Sequence, residues 1–285
     1  MRVLRWMVVA LGGVATLVLV AAAVAYGASE YLLRQTSPAR APAVALPTDA
    51  VSVAEGSRLF MVHGCAGCHG PAAEGNLLFD EPLIATIVAP NLTDSIARYG
   101  AGDIATAIRN GVSPRTGRTM LVMPSQAFAP LSDADLGKIL AFVASLPRAP
   151  GMEGSVSVGP VGRLGLLAGQ YKTSLQLVEQ AVAPPEAPDA GASIGRYLAR
   201  TSCAECHGAD LGGASHPEGV APNLRIVAGY QPEAFTRLMR TGIGMGDRKL
   251  GVMSGWARAY FSHFTDAEVQ ALYRYLHDLP EPVRR

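Results

Sequence analysis

Three textures of hydrophobic and polar positions alternate along the chain. The first is a run from Trp6 to Ala28 that contains no charge, is dominated by Val, Leu and Ala, and follows Arg2 and Arg5. About 20 consecutive apolar residues rising 1.5 Å each cross a hydrocarbon core, and a basic flank holds a short N-terminus on the cytoplasmic side. Residues 1–34 are therefore expected to be a transmembrane anchor. Ala23-Val24-Ala25 offers a small-x-small site for a cleaved signal peptide, but the apolar run exceeds the roughly 7–15 residues usual for such signals.

The second texture is helical periodicity. Leu136, Ile139, Leu140, Val143 and Leu146 fall on one face of a helix that opens at Ser132, with Asp135 three places on, and stops at Pro147. The same face returns without a gap as Val269, Leu272, Tyr273, Leu276 and Leu279, after Thr265 with Glu268 three places on and before Pro280. Earlier, Val53 to His63 reads as a helix with Leu59 and Phe60 on its apolar side, and Asp103 to Asn110 as a short helix ended by Gly111. Gln231-Pro232 starts a counterpart that ends at Gly242. Ala89-Pro90-Asn91-Leu92 is repeated as Ala221-Pro222-Asn223-Leu224, whereas Gly75 to Val88 reads as a loop. Similarity of this kind is an internal duplication.

The third texture is rich in Pro, Gly and Ala. Residues 35–52 read as an extended tether. Residues 151–192 read as a connector carrying a modest helical pattern from Val161 to Ala181 (Leu164, Leu167, Tyr171, Leu175, Val178), expected to pack on one or both of its neighbours. Between and after these lie two expected domains, 53–150 and 193–285, and no strand is anticipated, so the fold class is all-α.

Each expected domain carries one short motif: Cys65-Ala66-Gly67-Cys68-His69 and Cys203-Ala204-Glu205-Cys206-His207. Cys-x-x-Cys-His is the attachment signature of a c-type haem: two thiols add to the vinyl groups of one porphyrin and the adjoining imidazole becomes a proximal iron ligand. A zinc knuckle would need four ligands from paired motifs, and a redox dithiol a βαβ context that is not apparent. The motifs use all 4 cysteines, so none remains for a disulfide, a thiolate ligand or a nucleophile. The near-balanced charge of +1 argues against nucleic-acid binding.

With a helix before Cys-x-x-Cys-His, a Pro-Asn-Leu turn, a Gly-ended helix, a Met loop and a final amphipathic helix, each half resembles the class I cytochrome c domain. The whole resembles the membrane-anchored dihaem cytochromes c of bacteria: one transmembrane helix, then two tandem domains in the periplasm, single-pass in the inner membrane, with two covalently attached haem c groups. The resemblance implies a methionine as sixth iron ligand. Candidates are Met120 or Met123 and Met245 or Met253. Gly111 to Met123 and Gly242 to Met253 are matching steps of 12 and 11 residues, and Met123 precedes a proline as the family pattern has it. Met253 precedes Ser254 and departs from that pattern. The implied ligand pairs are His69 with Met123 and His207 with Met253. The family also implies that the carbonyls of Pro90 and Pro222 accept Nδ1–H of His69 and His207, which would fix ring orientation. His63, His216, His263 and His277 are the competing histidines.

What the resemblance implies functionally is outer-sphere electron transfer without catalysis, since iron held by His and Met has no open position. Expected partners are a quinol-oxidising complex, a dehydrogenase, an oxidase or a soluble cytochrome. Narrower alternatives are a dedicated cytochrome subunit of a periplasmic dehydrogenase and a dihaem enzyme with an open axial site. Both Met loops are basic, with Arg115 and Arg118 in the first and Arg248 and Lys249 in the second, a pattern suited to haem propionates or an acidic partner.

Overall fold

The computed structural model describes residues 1–38, 43–148, 150–181, 192–216 and 219–279. It is mostly helical. Helix α1, Arg2–Leu33, is continuous over the whole apolar run, and almost every side chain from Met1 to Val24 is exposed. At 1.5 Å per residue it is about 48 Å long, more than a hydrocarbon core requires.

The first half then runs α2 (Ala50–Val62), α3 (Cys65–His69), a hairpin of β1 (Asn76–Glu81) and β2 (Ala85–Ala89), α4 (Leu92–Asn110), α5 (Ser125–Phe128) and α6 (Asp133–Ser145). The intervening segment supplies β3 (Ser155–Val158), α7 (Pro160–Leu167) and α8 (Ser174–Gln180). The second half runs α9 (Ala192–Leu198), a π-helical turn Ala199–Cys203, α10 (Ala204–His207), α11 (Pro232–Thr241), α12 (Val252–Ala259) and α13 (Asp266–His277).

In each half the opening and closing helices cross closely, α2 on α6 and α9 on α13. A glycine makes each crossing possible. A Cβ at Gly56 would collide with the carbonyl of Lys138, and one at Gly195 with the carbonyl of Ala271. The caps are those the residues call for: Ser132 Oγ accepts from Asp135 N at 3.1 Å, Thr265 and Glu268 form a reciprocal capping box, and Gly111 and Gly242 end their helices at φ 70° and 71°. Leu136, Ile139, Leu140 and Val143 are buried, as are Val269, Leu272 and Leu276. Pro280, the expected stop of the last helix, lies outside the described residues.

Two expectations need correction. Gly75 to Val88 is not a loop, and the fold is not purely helical: β1, β2 and β3 form an antiparallel sheet in which Ile87 pairs with Phe79 on one side and Val156 on the other. The β-branched run Thr86-Ile87-Val88 favours strand, and its outer partner comes from a segment some 70 residues away. The helix ended by Gly111 begins at Leu92 and bends at Gly100 (φ 79°). The helical pattern from Val161 to Ala181 folds as two helices, α7 on α1 and α8 on α4 and α5, so the described connector packs on the first half and its anchor. Within the expected tether, among its described residues, Val44 packs beside Leu136 and Leu140 and the Gln35 carbonyl accepts from Thr119 N at 2.7 Å. Residues 39–42 of it, and 182–191 of the connector, lie outside the described residues.

The two halves touch through reciprocal contacts. Arg58 of α2 reaches across to Glu268 at the start of α13 with two hydrogen bonds of 2.7 and 2.8 Å, while also holding Glu55 at 2.6 Å. In return Tyr197 of α9 donates to Asp135 at the start of α6 at 2.7 Å, and Asp135 is the residue that aligns with Glu268. Arg58→Ala removes charged hydrogen bonds that are mostly shielded from water, so a loss of about 1–3 kcal/mol in urea unfolding is expected. The Arg58 hydrogen bond holds the Glu55 carboxyl below its ordinary value of 4.5. A depressed folded-state value means that this stabilisation is complete above about pH 4.5 and fades as pH falls below it. In Arg58→Ala that part of the acid sensitivity should disappear.

Candidate haem-binding site

The first Cys-x-x-Cys-His motif folds as the single helical turn α3, and the second runs from the end of the π-helical turn, Cys203, through α10; in both the two cysteines lie on one side and the histidine at the end. His69 Nδ1 is 2.9 Å from the carbonyl of Pro90 and His207 Nδ1 is 2.8 Å from that of Pro222. A carbonyl only accepts, so Nδ1 carries the proton in both rings and the Nε2 lone pair is left for a metal. Burial holds both imidazoles below their ordinary value, with the carbonyl contact working the other way. Both are neutral near pH 7, the form that ligates.

The prolines are placed by their neighbours. The Asn91 side chain accepts from the amides of Thr93 and Asp94, that of Asn223 from Arg225, and the amides of Leu92 and Leu224 donate to Ala73 and Leu211. Ala73 (φ 59°) and Leu211 (φ 57°) are buried and sit in the left-handed region, each four residues past its histidine. Matching strain at matching places marks a constrained turn, and nothing in the residue types announces it. Gly75 N donates to the His69 carbonyl and Gly213 N to that of His207, closing both turns.

Burial pushes the Cys65 and Cys203 thiols up to about 12. All four cysteines are free of disulfides. Cys65, Cys203, Met123 and Met253 pack against one buried apolar cluster that runs through both halves. Met245, by contrast, is exposed, and Met120 is half-buried with its amide on Gly111 and its carbonyl accepting from Ser174. Met123 is fixed by its carbonyl, which accepts from Ser174 Oγ at 2.7 Å; beside Met253, Ser254 Oγ donates to the Gly242 carbonyl at 2.5 Å. The donor set of two thiols, a neutral imidazole and a thioether in an apolar surround suits haem c.

The other histidines are otherwise engaged. His216 Nε2 is 2.6 Å from the Cys206 carbonyl, His277 pairs with Asp278, and His263 is exposed. His63 is buried and pushed down to about 4 by desolvation; its Nδ1 is 3.5 Å from Ser202 Oγ, and among the described residues its Nε2 has no hydrogen-bond partner. It lies in a narrow cleft with Ser202, Glu205, Cys206, Trp256 and Tyr260, where the two motifs approach each other. The Trp256 ring stands over Gly64 and the Tyr260 hydroxyl over Gly67, so α12 and the residue that ends it cap the first motif from the second half. On the other side α5, which follows Met123, packs on the π-helical turn and on α10.

A chain that presents thiols and imidazole in this way is a haem c protein, and it belongs to the cytochrome c family, whose model matches residues 53–147 and 192–280. It is an electron-transfer cytochrome with covalent haem c. Among relatives, the fructose dehydrogenase cytochrome subunit of Gluconobacter japonicus is 22% identical over 258 residues, 80% of this chain and 53% of that protein. A dihaem cytochrome c of Cereibacter sphaeroides is 28% identical over 170 residues, 53% of this chain and 55% of that protein. The cbb3-type cytochrome c oxidase subunit CcoP of Rhodobacter capsulatus is 36% identical over 106 residues, 35% of this chain and 31% of that protein. The chain thus spans about half the length of the first two and about a third of the last.

Proposed function

We propose that the chain is a membrane-anchored dihaem cytochrome c whose two tandem domains face the periplasm and pass single electrons between respiratory or dehydrogenase partners. The observation that carries this reading is the doubled site: two attachment turns, each with its histidine Nδ1 on a proline carbonyl at 2.8–2.9 Å. Cys65 and Cys68 would hold one haem and Cys203 and Cys206 the other, with His69 and Met123, and His207 and Met253, as axial ligands.

Haem iron supplies reversible one-electron chemistry when bound. The chain's residues do the rest. Proline carbonyls keep each imidazole in one tautomer and one orientation, the partly buried methionines would raise the potential by favouring the reduced state, and the apolar cluster excludes water. The anchor reading is supported by α1, a 32-residue helix with a charge-free run.

A second reading, a dedicated cytochrome subunit of a periplasmic dehydrogenase, is favoured by the similarity to the Gluconobacter subunit over most of this chain. Copurification of a catalytic subunit from native membranes would select it. Carbon monoxide tests what both readings share: the dithionite-reduced protein should show no fast spectral change, because both axial positions are filled. Rapid binding at one haem would replace the carrier with an enzyme having an open site.

A further inference from the structure

The foot of the anchor helix is joined to the first half at two places. On one side Arg163 of α7 stacks 4.2 Å over the Tyr26 ring and donates to Ser29 Oγ and to Glu30 Oε2, both at 2.9 Å. Ser29 is fully buried by this contact. On the other side, two residues beyond the end of α1, the Gln35 carbonyl accepts from Thr119 N at 2.7 Å. Thr119 also bridges to Val112 and so closes the loop 113–118, within which Ser113 N donates to the Arg118 carbonyl and Gly117 N to the Ser113 carbonyl, both at 2.8 Å. The loop is therefore a short, internally bonded finger whose base is tied to the helix end. Arg115, Thr116, Gly117 and Arg118 are all exposed, and among the described residues neither arginine pairs with an acid.

Heights along the helix follow from its rise. If the hydrocarbon boundary lies at Ala28, Gln35 stands about 10 Å above it, just beyond the headgroup layer. An arginine reaches several ångströms from its backbone, so Arg115 and Arg118 extend from a loop held within reach of the headgroups, while Arg34 at the helix end is paired with Glu30 at 2.7 Å. Each basic residue held near an anionic bilayer surface is attracted to it, and the attraction falls off within a Debye length.

We propose that the loop Pro114–Arg118 docks on anionic phospholipid headgroups at the foot of the anchor, and that this contact, with the Arg163 clamp, fixes how the first half is presented to its redox partners. The inference rests on the membrane-anchor reading above. It assigns the first basic loop to lipid rather than to an acidic protein.

Trypsin, which cuts after exposed arginines, reads the contact directly on the full haem-loaded chain in nanodiscs. In discs with about a third phosphatidylglycerol, cleavage after Arg115 and Arg118 should be about fivefold slower than in pure phosphatidylcholine discs. The difference should vanish in about 0.5 M salt, each comparison being made at equal salt. Co-elution of the chain with the discs tests the anchor itself. A chain that failed to co-elute would overturn the anchor and the docking together. A chain that co-eluted yet was cut equally fast in both discs would overturn the docking alone, and would leave the loop available to a protein partner.

Discussion

Replacing Cys203 and Cys206 together by serine should give a chain that carries one covalent haem, with its mass lowered by that of one haem and its reduced α-band absorbance about halved. Thioether formation needs both thiols of a pair, and each pair sits on its own helical turn, with its own histidine and its own proline acceptor. The first site should therefore survive the loss of the second. The second half should become markedly less stable, because Cys203 and Ala204 pack into the same buried cluster as Leu198, Phe235, Leu272 and Leu276, and an unfilled space there is costly. Intact-protein mass spectrometry settles the count. Two haems in the variant would mean an attachment site other than this motif, and none would mean that the two sites are not loaded independently.

Met253→Ala should remove about half of the charge-transfer absorbance that marks methionine bound to ferric haem, lower the potential of that haem and open it to carbon monoxide. Met245→Ala should change none of these. The difference rests on placement: Met253 lies in the first turn of α12 and packs against the buried cluster, whereas Met245 is 44% exposed in the turn before Arg248. Met123→Ala should act at the first haem as Met253→Ala does at the second. If Met245→Ala removed the band instead, the offset from Gly242 would be the wrong guide to the ligand.

The elements legible in the sequence are those whose cause is local. A Cys-x-x-Cys-His turn, a serine or threonine cap, a glycine at a helix end and a proline-asparagine turn each act within a few residues, and the structure has each of them where the residues stand. The hairpin 76–89 was hidden because β2 is completed by β3 from beyond α6, and no local alternation declares such a partner. The contact between Arg58 and Glu268 spans 210 residues, so the sequence shows Glu268 only as a capping residue and gives no sign of its partner. The left-handed turns at Ala73 and Leu211 were hidden for a different reason: neither residue type favours that conformation, and only the surrounding hydrogen bonds impose it. The proline and alanine of the tether say nothing of the contact that Val44 makes beside Leu136 and Leu140.

The cap that Trp256 and Tyr260 place over Gly64 and Gly67 bears on the order of biosynthesis. Under the export to the periplasm proposed above, Cys65 is synthesised about 190 residues before Trp256. The first attachment turn is then open to porphyrin before the indole and phenol of the second half pack on Gly64 and Gly67.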